Sequence, residues 1–341
     1  MLDLFTPQVP LERCHPNFLG YMARPQSHRD EMLAWSDGFV DRDGKFVIEF
    51  QTTFNAAFWE LYVFACLKQM GFTVDFSYPA PDFVVLRDGQ PAFCIEAVVA
   101  SNANDGTPEW QRDWKTGREV DLAKVTDDAT IRFANSITSK YEKYRTSYST
   151  IPVIGKLPFV LAVAPFDQPW FFKESVYPPL RVLYGIDPRH WQGEEPPQLM
   201  PNIKKANGAD VPLGYFVEPT MPEISAVMFS NVATVAKVAA LAKDDPNYRS
   251  YFVGVQRMDG KGDRVTQGRI PKAEHKESLL DGLHLFHNPK ANYHFPRECF
   301  EHEGTAQWGC EIATRTPFRT GTPDILLQRA SLLMRIKKKK K

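Results

Sequence analysis

The chain has 341 residues, 43% hydrophobic and 13% aromatic, which is ample for a buried core and excludes a disordered chain. Its 41 basic and 41 acidic residues cancel, and five of the bases are the terminal run Lys337 to Lys341. Without that tail the body is mildly acidic, so bulk charge neither demands nor excludes nucleic acid as a partner; an enzyme needs only a local basic groove.

The cysteines Cys14, Cys66, Cys94, Cys299 and Cys310 are odd in number and scattered, and Cys66 and Cys94 lie inside apolar runs. That usage suits a reducing compartment better than a disulfide framework. The N-terminus, MLDLFTPQVPLERCHP, lacks the pattern of a secretion signal, and no run approaches the ~20 apolar residues of a membrane helix. The expectation is a soluble cytoplasmic protein with no membrane partner. The lysine tail is weak evidence for any ligand.

Residues 1–44 are rich in Pro, Asp and Arg and read as an N-terminal arm, with a short helix near Asp30 to Trp35. In Lys45 to Gln51, Phe46, Ile48 and Phe50 alternate with other residues, which predicts a strand. Thr52, Thr53 and Asn55 are N-cap candidates for a helix running to about Met70, with Gly71 as its stop. Phe54, Phe58, Leu61 and Ala65 form its apolar stripe. Glu60 has Ala56, Ala57, Phe64 and Leu67 as helical neighbours, and a carboxylate on such a surface is costly without a partner.

Phe72 to Phe76 predicts a short strand. Tyr78-Pro79-Ala80-Pro81 cannot be helical and leads Asp82 into a strand over Phe83 to Leu86. After the turn at Arg87 to Gln90, Ala92 to Val99 is the return strand, with Cys94, Glu96 and Val98 on one face. A three-residue loop, 88 to 90, sets Asp82 opposite Glu96; one residue more or fewer moves that pairing. Ser101 to Gly117 reads as a polar loop. A helix follows from about Glu119, strongest over Ala129 to Tyr148, where Phe133, Ile137, Tyr141 and Tyr144 recur at helical spacing. Phe159 to Ala164 is a continuous apolar strand of the type buried on both faces.

In the second half, Asp167 to Pro219 reads as a surface insertion, Ile224 to Phe229 as a buried strand, and Ala233 to Ala242 as a helix capped by Ser230-Asn231. Tyr251 to Val255 and Leu283 to Phe286 read as strands, Asp259 to Pro271 as a charged glycine-containing loop, and Ile325 to Met334 as a short helix. The organisation expected is an arm over 1–44, a core over 45–166, an α+β extension over 167–336 that packs on or completes the core, and the tail 337–341.

Glu60, Asp82 and Glu96 are the acids that a divalent-metal phosphodiesterase requires: Mg²⁺ takes hard oxygen ligands from a few carboxylates, with water filling the rest. Pro81-Asp82, then Glu96-Ala97-Val98 on the next strand, in the order helix, strand, strand, strand, helix, strand, resembles the PD-(D/E)XK nuclease superfamily over about Phe54 to Ala164. The resemblance implies an α/β fold with a restriction-endonuclease-like core and a mixed sheet. It implies Asp82 and Glu96 as metal ligands, Glu60 as a third acidic group at the metal, and Mg²⁺, or Mn²⁺, as cofactor. It also implies cleavage of nucleic acid, DNA rather than RNA, in a restriction or defence setting, by a homodimer. One departure stands out: Val98 occupies the place of the family's lysine. Some members carry an equivalent lysine on the second core helix, where Lys140 is placed toward the sheet and Lys143 toward solvent. The competing expectation is a catalytically inactive nucleic-acid-binding or scaffold subunit on the same fold; a third is a hydrolase of smaller phosphate esters.

Each acid also has a plain structural reading: Asp82 as a turn residue, Glu96 on a solvated strand face, Glu60 paired with an arginine. His284, His287, His294, Cys299, His302 and Cys310 fit no standard zinc spacing and read as structural. Pro323-Asp324 repeats the dipeptide with no acidic strand after it. Lys261, Arg264, Arg269, Lys272 and Lys276 suggest a basic loop for a phosphate backbone, and Trp110 and Trp114 are candidates for base stacking. The chain has no phosphate-binding glycine loop, nucleophile elbow or dinucleotide fingerprint.

Overall fold

The structure, a computed structural model, describes residues 2–102, 106–111, 120–166, 168–190, 197–259 and 262–336, and all counts below refer to these. Helices α1 (Pro16–Met22) and α2 (Gln26–Trp35) precede α3 (Phe46–Thr52) and α4 (Phe54–Gln69). Then come β1 (Thr73–Asp75), β2 (Phe83–Arg87), β3 (Gln90–Ser101), α5 (Leu122–Thr146) and β4 (Phe159–Phe166), in the expected order of helix, three strands, helix and strand. Beyond lie α6 (Tyr177–Tyr184) and two small antiparallel pairs: β5 (Ile186–Asp187) with β6 (Gln198–Leu199), and β7 (Asn202–Lys204) with β8 (Asp210–Pro212). The chain continues through β9 (Ile224–Phe229), α7 (Val235–Leu241), β10 (Tyr248–Asp259), β11 (Gly262–Pro271), β12 (Leu283–His287), β13 (Thr305–Glu311), β14 (Thr316–Gly321) and β15 (Ile325–Arg335).

The fold is mixed α/β around one large sheet of order β1-β2-β3-β4-β9-β12-β13-β14, with a three-stranded sheet β11-β10-β15 beside it. β4 is buried at every position, as a continuous apolar run should be in the middle of a sheet. It pairs in parallel with β3 on one side and β9 on the other. The parallel β3–β4 step needs a long crossover, which α5 supplies. The sheet therefore runs without a break from β4 into strands contributed by the second half.

Side chains alternate along the strands between two apolar layers. On one face Val85, Ile95, Val160 and Ala162 pack with α4. On the other, Val84, Cys94, Leu161 and Val163 pack with α5 and α6. Helix α4 is buried nearly all round, which is why its apolar stripe is broad. The N-terminal segment is part of the first layer: Phe18, Tyr21, Met32 and Trp35 are buried there.

Several local readings are corrected. Residues 46–52 are helical; Phe46, Val47, Phe50 and Gln51 are buried and Ile48 is exposed. Phe46 and Phe50 are four apart, a spacing that fits both strand alternation and one helical turn, and packing against α4 selects the helix. Ile325–Arg335 is a strand because it pairs along β10; its apolar residues carry no period that distinguishes the two. Residues 262–271 are likewise a strand, antiparallel to β10, where a loop was expected. The segment 167–219 is no surface insertion throughout, since α6 is buried along Pro178 to Tyr184. Helix α7 is capped by Thr234, whose Oγ1 accepts from the Ala236 N–H. Ser230 and Asn231 are buried instead, and the Asn231 amide donates to Phe172 and Leu327 carbonyls. Thr53 stands at the N-cap of α4 but its hydroxyl donates back to the Glu49 carbonyl. No described helix is long and apolar enough to cross a membrane.

Candidate active site

The β2–β3 hairpin places the first two acids. Asp88 and Gly89 both have positive φ, 52° and 74°, so the turn is a tight two-residue one with Arg87 across from Gln90. The register then shifts by one residue between Val85 and Leu86, leaving Ala92 as a bulge. Beyond it Val85 faces Phe93, Val84 faces Cys94 and Phe83 faces Ile95. One further step along that register sets Asp82 across from Glu96. The turn is two residues long with a bulge after it, where a three-residue loop was the condition for that pairing.

Asp82 is fixed by its backbone neighbour on β3: the Ala97 N–H donates to Oδ2 at 2.7 Å. Arg42, from the N-terminal segment, braces the approach by donating to the Tyr78 and Pro81 carbonyls at 2.6 and 3.2 Å, and its Nη2 stands 4.0 Å from Asp82 Oδ1. Burial, and next the Glu96 charge, push the Asp82 carboxyl up to about 7, against the pull of the Ala97 N–H, Lys140 and Arg42.

Glu96 is buried, with 2% of its surface exposed, and does not lie on a solvated face. Its Oε1 collects three donors from the end of α5 and the turn after it. These are Lys140 Nζ at 2.6 Å, Tyr148 Oη at 2.9 Å and Lys143 Nζ at 3.4 Å. Its Oε2 is buried with no hydrogen-bond partner. Ile137, Tyr141 and Tyr144 anchor α5 against the sheet, so Lys140 emerges at the rim of the buried face with a quarter of its side chain exposed. Lys143 is half exposed yet also reaches the site, where solvent alone was expected.

Glu60 rises from α4, in the layer on the opposite face of the sheet. Among the described residues nothing donates a hydrogen bond to it. Its carboxyl is held well above the usual range, first by burial and then by the charge of Asp82, with Glu96 and Glu49 adding to the effect and Arg42 opposing it. Glu60 thus feels the charge of the other acids.

The structure brings Asp82, Glu96 and Lys140 together. Among the described residues no three His, Cys, Asp or Glu side chains are arranged to hold a metal ion between them. The donor set still fits a hard divalent cation at two carboxylates. Glu96 Oε2 is an unsatisfied buried anion edge, Asp82 is a second carboxylate on the neighbouring strand, and burial first, then neighbouring negative charge, raises the Asp82 carboxyl. Two carboxylates with water completing the shell is an ordinary arrangement for Mg²⁺.

Sequence reasoning missed Arg42 and Tyr148. Tyr148 lies four residues after Tyr144, so extending the helical face by one step finds it. Arg42 carries no local signal, because its contacts lie 36 and 39 residues away.

The other candidates take structural roles. Trp308 Nε1 donates to His284 Nδ1, and His287 Nε2 shares a hydrogen bond with Gln307. Burial lowers these imidazoles to about 3 and about 4, so both are neutral. The described cysteines are free and buried. Asp324 pairs with Arg257 and Arg264, and Lys272 with Asp244, so part of the basic stretch is engaged internally. Trp110 packs edge-on against His15 at 4.6 Å. Trp114, Lys261 and the tail lie outside the described residues. Comparison of the chain with protein-family profiles, curated proteins and solved structures finds no match in any of the three.

Proposed function

We propose that this protein is a metal-dependent nuclease with a restriction-endonuclease-like core that hydrolyses phosphodiester bonds, in DNA rather than RNA, at Asp82, Glu96 and Lys140. The observation that carries the reading is the Lys140 ammonium beside Glu96, supplied by α5 where the strand position two after Glu96 is Val98. A cationic amine is thereby present at the acids although the strand does not provide one.

Asp82 and Glu96 Oε2 would hold Mg²⁺ or Mn²⁺. The ion, when bound, lowers the pKa of a coordinated water and offsets charge on the phosphate. The chain's own work is positional. Ala97 N–H and Arg42 orient Asp82; Lys140 and Tyr148 hold Glu96 through Oε1 and leave Oε2 turned away from them. Lys140 also sets a positive charge where a phosphate oxygen gains negative charge. Glu60, at the edge of this field, is suited to positioning a metal-bound solvent. A homodimer and a restriction or defence setting belong to the same reading through the superfamily resemblance alone.

The test is incubation of the pure protein with circular plasmid, linear DNA and RNA in Mg²⁺, Mn²⁺ or EDTA, beside Asp82→Ala and Lys140→Ala. The expected result is metal-dependent DNA cleavage abolished by Asp82→Ala. Binding without cutting would favour the non-catalytic scaffold, since Glu96 would then have Lys140 only as a structural counter-ion. Cleavage that survives Asp82→Ala would overturn this site.

A further inference from the structure

Away from the acids, on the α4 side of the sheet, a cavity of about 280 Å³ opens between α1, the start of α4, α7 and β15. Its size is near the lower end of small-molecule sites, roughly 300–1,000 Å³. Phe54, Phe58, Phe166 and Phe171 give it aromatic walls. Phe54 and Phe58 are near-parallel at 5.5 Å, and Phe166 meets Phe58 and Phe171 edge-on. Asn17 and Asn55 form a polar end with Glu109, to which both amides donate.

The other end is cationic and incompletely satisfied. Tyr21 is wholly buried, and its Oη has no hydrogen-bond partner. Arg24 lies over the Tyr21 ring at 5.5 Å with its Nη1 buried and likewise unpartnered. Among the described residues no carboxylate pairs with Arg24. Burial raises the Tyr21 phenol, and the charges of Arg24 and Arg329 oppose that rise. Arg329 is already committed to Glu277, Thr234 and the Val232 carbonyl. Tyr21 and Arg24 line the cavity, and a buried donor without a partner is costly unless an acceptor is supplied. A planar ring against the phenylalanines fits the remaining walls.

We infer that this cavity is a binding site for a small planar aromatic molecule carrying an anionic group, with the anion on Arg24 Nη1 and Tyr21 Oη and the ring between the phenylalanine walls. The anion is a carboxylate or a phosphate; the donors present take either. This site is independent of the proposed nuclease chemistry.

Calorimetric titration of the full chain with adenosine 5′-monophosphate, adenosine, benzoate and inorganic phosphate tests it, with thermal unfolding of each ligand-free variant as the control on folding. One or both ring-bearing anions should bind at least ten-fold more tightly than adenosine or phosphate alone, and which of the two binds identifies phosphate or carboxylate. Arg24→Gln should weaken that binding at least ten-fold. Tyr21→Phe keeps the ring and should weaken it about three- to ten-fold. Both variants should unfold within a few degrees of the parent. The inference is overturned if neither ring-bearing anion binds at millimolar concentration, if adenosine binds as well as its phosphate, or if binding is indifferent to both substitutions.

Discussion

Lys140 and Glu96, 44 residues apart in sequence, meet at 2.6 Å, the ammonium closing on one carboxylate oxygen while the other stays buried and unpaired. A strand holds the carboxylate and a helix packed on the same face of the sheet holds the ammonium, so both partners are positioned by elements and not by loops.

Replacing Lys140 by Met keeps most of the side-chain volume and removes the charge. Cleavage should fall by about 10²–10³-fold, the usual scale for one preorganised charge-stabilising group. Lys143→Ala, at a half-exposed position 3.4 Å from the same oxygen, should change the rate by less than about ten-fold. Initial rates on supercoiled plasmid measure both. Equal effects of the two substitutions would mean that Lys140 has no special role.

Asp82 should make the metal-free protein less stable as pH rises. Its folded carboxyl titrates near 7 against an ordinary 3.8, so folding takes up a proton between these values. The penalty is absent below about pH 4, grows to about pH 7 and is constant above. Asp82→Asn retains an acceptor for the Ala97 N–H and removes the charge. It should therefore gain about 2–4 kcal/mol relative to the parent between pH 4 and pH 8. Urea unfolding in EDTA at the two pH values gives the difference directly.

Glu60→Gln removes one of three mutually repelling acids. Without metal at pH 8 the variant should be more stable than the parent, since desolvation and the neighbouring charge both disfavour the ionised form. Its cleavage rate should nonetheless drop. A variant that loses stability would show that Glu60 holds a structural partner.

Tyr148→Phe deletes a hydrogen bond to a buried carboxylate and leaves the ring in place. Stability should fall by about 1–3 kcal/mol, the range for hydrogen bonds to charged groups. Activity should drop less than for Lys140→Met, because Lys140 still holds Glu96.

A stability test away from the site concerns Glu277, which lies fully buried between Lys237 and Arg329 at 2.7 Å from each and hydrogen-bonded to His275. Glu277→Gln leaves two buried cations without a counter-charge and should cost about 3–5 kcal/mol. Denaturant unfolding measures it, and a change below about 1 kcal/mol would mean that water or anions reach these cations.

What the sequence by itself determined was local. The order from α4 to β4 and the buried run Phe159 to Ala164 follow from apolar periodicity, turn residues and prolines, which act over a few residues, whereas the register between Asp82 and Glu96 depended on a turn length and a bulge that no local pattern fixes. Lys140 was reachable too, because helical spacing against Ile137 and Tyr141 orients it. Tertiary structure decided the rest. Phe46 and Phe50 suit either period, and only packing on α4 selects a helix. Residues 262–271 and 325–335 become strands because each finds β10, a partner that no local pattern names. The site shows the same division. Asp82 and Glu96 are neighbours across one hairpin, whereas the three donors on Glu96 Oε1, the brace from Arg42 and the separation of Glu60 into the opposite layer depend on contacts between elements distant in the chain.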